Sequence, residues 1–221
     1  MNGTEVVPGD PAGASARASA SGSESTPAAG TPPILVVMGV SGSGKSTLAT
    51  RLATALGWDL AEGDDLHPQA NIDKMALGHP LTDADRAPWL DLIAAWIAEH
   101  TAAGRPGIVA CSALKRRYRD RLRAPGVIFV HPHGPRATVH ERMHRRRDHF
   151  MPESLLDSQY ADLEQLAADE SGIVVDLALS PDAQAAEVLA RLGLAAAGHS
   201  APDEPAPAPT ASSSSFSARK E

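Results

Sequence analysis

Cysteine is nearly absent from this chain of 221 residues, Cys111 being the single one. That excludes an intramolecular disulfide framework and suits a reducing compartment such as the cytoplasm. Long apolar runs are missing too, and none approaches the ~20 residues a bilayer-crossing helix needs. The first residues lack the basic-then-apolar order of a secretory signal, and Glu5, Asp10 and Glu24 work against an amphipathic transit helix. There is no excess of positive charge. A formal net charge of −7 gives no global footprint for nucleic acid. The basic cluster Arg142 to Arg147 has no aromatic residue interleaved for base stacking.

Apolar periodicity is absent at both ends. Residues 1–31 and 198–221 are dominated by Ala, Ser, Gly, Pro and Thr, and bury too little apolar surface to offset chain entropy. Both are expected to be disordered tails. The remainder, 32–197, is roughly 165 residues without an internal repeat, a normal single-domain length.

What is present is most specific at Gly39-Val40-Ser41-Gly42-Ser43-Gly44-Lys45-Ser46. This is a GxxxxGKS P-loop, preceded by the apolar run Ile34–Met38 and followed by a helical pattern over Lys45–Leu56. Its glycines let successive backbone N–H groups face one concavity, and the helix N-terminus adds partial positive charge. Lys45 then reaches the β/γ-phosphates, and the Ser46 hydroxyl is the expected Mg²⁺ ligand. A chance Gly/Ser turn would not carry every fixed position together with both flanking elements. The chain is expected to bind a nucleoside triphosphate.

Strand-like runs recur at Ile34–Met38, Trp58–Ala61, Gly107–Cys111, Val127–Val130 and Gly172–Leu177. Helical patterns lie between them at Gln69–Leu77, Ala84–Ala103, Lys115–Arg123, Pro135–Arg146 and Glu153–Ala168, with Pro181–Leu192 after the last. Such alternation predicts an α/β protein whose parallel sheet is covered on both faces. Ligands of these sheets sit beyond the carboxyl ends of the strands.

Three of those loops carry unusual residues. After the second strand, Asp64 is the candidate to orient a substrate hydroxyl or take its proton, although an aspartate here also suits a helix cap. His67 and Lys74 follow it, each read more readily, on its own, as a surface residue. After the third strand, Lys115, Arg116, Arg117 and Arg119 open a helix with cations. Such cations oppose the helix dipole and imply a nearby anion. Cys111 reads as a small buried hydrophobe rather than a nucleophile. Finally, Arg142 to Arg147 on a mobile segment over the P-loop would clamp a triphosphate and keep water out.

Taken together, these segments resemble the gluconate kinases, small P-loop enzymes related to shikimate and adenylate kinases. The resemblance runs from about Ile34 to Leu192. It rests on Met38–Ser46, Gly63–Pro68, Asn71–Met75, Gly78–Leu90, Cys111–Lys115 with Tyr118–Asp120, His149–Met151 and Leu155–Gln159. It implies a three-layer P-loop NTPase fold with a five-stranded parallel sheet and a mobile helical lid. The implied reaction is ATP-dependent phosphorylation of D-gluconate on its 6-hydroxyl, with Mg²⁺, by an enzyme often found as a homodimer. By position, Gly39, Ser41, Gly42, Ser43, Gly44, Lys45, Ser46 and Thr47 would hold ATP, with Ser46 on the metal. Arg142 and Arg146 would be lid arginines facing ATP, and Lys45, Asp64 and Arg142 the catalytic set. Asp64, His67, Lys74, Lys115 and Arg119 would lie towards the sugar acid. Two positions depart from the family pattern: Asp148 replaces a glycine before His149-Phe150, and Leu166 replaces a proline after Leu163-Glu164. Another polyol acid, shikimate or a nucleoside monophosphate is the competing acceptor. A nucleotide- or RNA-binding regulator is the competing class.

Overall fold

The computed structural model describes residues 31–145 and 153–196. Residues 1–30 and 198–221 of the expected tails, Arg146 and the segment Asp148–Met151 lie outside the described residues.

Five parallel strands form one sheet in the order β2-β3-β1-β4-β5. They are β1 (Ile34–Val37), β2 (Asp59–Glu62), β3 (Gly107–Ala110), β4 (Val127–His133) and β5 (Gly172–Asp176). Every residue of β1 is fully buried. Its sequence, Ile-Leu-Val-Val, is the unbroken apolar run that a strand covered on both faces requires. β1 pairs with β3 on one side (Ile34 with Gly107) and with β4 on the other (Ile34 with Val127).

The helices are α1 (Lys45–Leu56), α2 (Gln69–Ala76), α3 (Asp83–Ala102), α4 (Arg116–Leu122), α5 (Arg136–Arg145), α6 (Glu153–Asp162) and α7 (Pro181–Leu192). Because side chains alternate along a strand, the central strands β1, β3 and β4 each feed two cores. Leu35, Val37, Ile108 and Ile128 pack on Leu48 and Leu52 of α1 and Val188 of α7. Ile34, Val36, Val109 and Phe129 pack on Trp89, Ile93 and Ile97 of α3 and Tyr118 of α4. A third cluster, Val40, Leu114, Val139, Leu156 and Leu177, lies where the P-loop, α5 and α6 meet.

Local chemistry sets the helix ends. Thr82 and Asp85 form a reciprocal capping box at the start of α3. Gly57, at φ 67°, ends α1 by donating its N–H to the Ala53 carbonyl. Two expected boundaries move by more than one residue. β4 continues to His133 because β5 pairs with it along His131, Pro132 and His133. Helix α6 stops at Asp162, short of the expected Ala168, because tertiary partners take its next backbone groups. Glu164 N–H goes to the Leu114 carbonyl, and the carbonyls of Glu164 and Gln165 go to Arg119.

Candidate active site

The P-loop leaves the carboxyl end of the central strand β1, where the sheet order reverses direction. Gly42 takes φ +79°, and a Cβ there would lie 2.6 Å from Met143 Cγ, so α5 packs directly on the loop. Arg142, one residue earlier, reaches over the loop: its Nη1 would stand 3.6 Å from a Cβ at Gly44. Its Nη2 donates to the Leu177 carbonyl at 2.6 Å. Lys45 Nζ donates to the Val40 carbonyl at 3.1 Å, and the next amide, Ser41 N–H, donates to Gln159 Oε1 at 2.6 Å. Thr47 stands exposed in the first turn of α1. Ser43 Oγ and His131 Nδ1 are buried behind the loop without partners among the described residues.

Glu62, at the end of β2, accepts from Ser46 Oγ at 2.9 Å. Burial pushes its carboxyl above the usual range. The Ser46 bond opposes that shift, the Asp64 charge adds to it and the Lys45 charge offsets it. One carboxylate therefore feels both the P-loop lysine and Asp64, which brings the second-strand loop to the phosphate seat. The close approach of β2 to β3 depends on Gly63. A Cβ there would meet the Ala110 carbonyl at 2.7 Å and Cys111 Cβ at 2.8 Å.

Asp64 is exposed in a 3₁₀ turn, Gly63–Leu66, directly after β2. Asp64 makes no capping bond to this turn or to α2, which begins at Gln69, but it does occupy a turn position of the kind aspartate favours. His67 is half-buried against Trp89, and its ring sits near the Asn71 side chain at 3.4 Å. Burial lowers its pKa; the Asp64 charge opposes this and Arg86 adds to it, so the neutral ring is favoured.

The remaining cations are held by carboxylates of the same wall. Lys74 Nζ pairs with Asp85 at 2.6 Å. Lys115 lies between Asp83 at 3.2 Å and Asp162 at 3.0 Å, and over the Tyr118 ring. Burial works to lower its pKa, but the bonds to Asp162 and Asp83 outweigh it and the ammonium is favoured. Arg86, nearly buried, donates to the Tyr118 hydroxyl at 3.2 Å and to Asp162 at 3.0 Å. Asp83 also bonds Tyr118 and Arg117, and its pKa falls to about 2, with the Tyr118 hydroxyl the largest cause. The anions implied by a cationic helix start are thus, in this state, the protein's own: Asp83, Asp162 and, for Arg116, Asp169. The turn leading there is strained, with Ala113 at φ 36°. Its Ser112 carbonyl accepts the Gly39 N–H at 3.1 Å, joining it to the P-loop.

Three comparisons place this geometry. A family profile described as an AAA domain matches residues 34–166. A gluconokinase of Gluconobacter oxydans (strain 621H) is 51% identical over 160 residues, which covers 72% of this chain and 90% of that relative. The chain belongs to the gluconokinase family. Among solved structures, an unliganded sugar kinase from Janibacter sp. HTCC2649 superposes with TM-score 0.71 at 48% identity, covering 74% of this chain and 95% of that one. A gluconokinase from Sinorhizobium meliloti 1021 gives TM-score 0.67 at 48% identity over 74% of this chain and 93% of that one.

The expected residues separate into groups. Lys45, Ser46 and Arg142 gather at the P-loop, Asp64 and His67 stand in and just after the turn that follows β2, and Lys74 and Lys115 pair with Asp85 and with Asp83 and Asp162. Arg119 joins none of them. It is fully buried, with Nε 2.6 Å and Nη2 2.9 Å from the Glu170 carboxylate and Nη1 bonded to the carbonyls of Leu114 and Glu164. Its donors are spent on the protein, so the expectation of a sugar-acid contact is corrected to that of an internal clamp. Sequence reasoning gave no role to Glu62, Arg86, Asp162 or Gln159. Glu62 had a visible signal, a carboxylate at the carboxyl end of a strand, two residues before Asp64. The others depend on which helices meet.

Proposed function

We propose that this chain transfers the γ-phosphoryl group of ATP to the 6-hydroxyl of D-gluconate, forming 6-phospho-D-gluconate and ADP. The observation that carries the reading is the Glu62 carboxylate, which accepts the Ser46 hydroxyl of the P-loop helix at 2.9 Å and stands two residues before Asp64. In the transfer, the acceptor oxygen bonds to the γ-phosphorus as the bond to the β–γ bridging oxygen breaks. Asp64 would orient the hydroxyl and receive its proton. Lys45 and Arg142 would stabilise charge on the transferring group. The acid's carboxylate calls for cations, and Lys74, Lys115 and Arg86 would supply them by leaving their carboxylate partners Asp85, Asp83 and Asp162. The neutral His67 ring suits hydrogen bonding to a polyol.

Mg²⁺ fits the oxygen set of Ser46 and Glu62, 2.9 Å apart and open to solvent on the serine side. Bound there with the triphosphate, it would neutralise charge on the β- and γ-oxygens. On the family resemblance we further place the enzyme in the cytoplasm, as a homodimer, with activity residing in residues 32–197.

The test is ADP formation from Mg-ATP with D-gluconate, set beside a panel of other polyol acids, shikimate and nucleoside monophosphates. The expected result is the highest kcat/KM with D-gluconate. A higher value with another acceptor, or no gluconate-dependent ADP from folded protein, overturns the assignment.

A further inference from the structure

Helix α6 bears on both walls of the cleft at once. Its Gln159 Oε1 accepts the Ser41 N–H of the P-loop at 2.6 Å. Three residues on, Asp162 takes Arg86 with one carboxylate oxygen and Lys115 with the other, each at 3.0 Å. A spacing of i, i+3 sets the two side chains on one helix face. The helix is seated by Leu156, buried with Val40 of the P-loop and Leu114 of the turn before α4.

The peptide unit held by Gln159 is the one Lys45 uses. Val40 supplies its carbonyl, which accepts from Lys45 Nζ at 3.1 Å, and Ser41 supplies its N–H. In a trans peptide these groups point in opposite directions, so lysine and glutamine grip one plane from two sides. A triphosphate draws the lysine towards its β/γ-oxygens. The carbonyl then keeps the Ser43 N–H at 3.3 Å, while Gln159 holds the plane from its N–H side. At the other end, an anionic acceptor that attracts Lys115 or Arg86 competes with Asp162 for them. Each substrate thus acts on one end of the same short helix.

We propose that α6 couples the phosphate seat to the acceptor seat, with Gln159 the positioning residue at one end and Asp162 its counterpart at the other. The identity of the acceptor rests on the function proposed above, whereas the coupling does not. Amide hydrogen exchange tests it with an unhydrolysable ATP analogue and Mg²⁺ alone. In the wild type, binding is expected to slow exchange by about fivefold or more in peptides covering α4 and α6 as well as in the P-loop. In Gln159→Leu the P-loop protection should persist and the α4 and α6 protection should vanish. A Gln159 that only stabilised the fold would lower Tm and leave the pattern unchanged. Asp162→Asn gives a second reading, with protection kept in α6 and lost in α4, should the first variant not fold. No α4 or α6 response in the wild type, or an unchanged response in both variants, overturns the proposal. A wild type that shows the response but makes no ADP with D-gluconate overturns the acceptor assignment and leaves the coupling standing.

Discussion

The imidazole of His67 lies parallel to the indole of Trp89, with ring centroids 4.5 Å apart and planes inclined by 9°. The same indole donates its N–H to the Gly63 carbonyl at 2.6 Å. One buried side chain of α3 thereby holds the residues on both sides of Asp64. Trp89→Phe keeps an aromatic face under His67 and leaves the Gly63 carbonyl without its donor. It should cost about 1–2 kcal/mol in urea unfolding and lower kcat by about tenfold through a displaced Asp64 turn. Loss of stability at unchanged kcat would show that the turn holds its place without the indole.

Asp64 and Lys45 should separate in steady-state kinetics. Asp64→Asn is expected to lower kcat by about 10²-fold or more while leaving the melting temperature nearly unchanged, since the carboxylate is exposed and caps no helix. Lys45→Ala should abolish turnover. Near-normal kcat in either variant contradicts its assigned role.

Arg119 and Glu170 form an internal ion pair, both side chains having no exposed surface. Burial raises the Glu170 pKa, and the Arg119 bonds together with the Ala167 amide outweigh that and hold it low. Arg119→Leu strands a buried carboxylate and should cost about 3–5 kcal/mol. Arg119→Leu with Glu170→Leu should recover most of the loss. A KM for D-gluconate raised in the single variant, with stability intact, would return Arg119 to the acceptor side.

His131, almost fully buried on β4, has its pKa pushed down to about 4, chiefly by burial and further by His133, Arg119 and Lys45. A histidine with a depressed folded pKa stabilises the fold fully above its unfolded pKa, about 6.5. That contribution fades as the pH falls from there through the folded value. Urea unfolding should therefore weaken between about pH 6.5 and 4, by at most about 3 kcal/mol from this residue. His131→Gln should flatten that slope whatever its stability at pH 8, and an equal slope in both proteins would assign the acid sensitivity elsewhere.

Much of the architecture was legible because strand and helix signals here are local. Ile34–Val37 is apolar throughout, and α1 and α7 run between their expected first and last residues, bounded by glycine or by a proline in the first turn. The P-loop is legible for the same reason: its chemistry resides in backbone amides and one lysine within eight consecutive residues. The end of α6 was not, because Leu163 to Ala168 keep a helical pattern, and an arginine more than forty positions away in the chain takes their carbonyls.

By itself, then, the chain determined its sheet, its phosphate loop and its Asp64 turn, since each follows from neighbouring residues. Tertiary structure alone decided which charges meet. Arg119 sits in a cationic helix start like Lys115, yet one is sealed against Glu170 and the other faces the cleft beside Asp83 and Asp162. A side chain's charge is written in the sequence, but its partner is set by packing between distant elements. In low dielectric surroundings, that partner settles whether a cation serves the fold or a ligand.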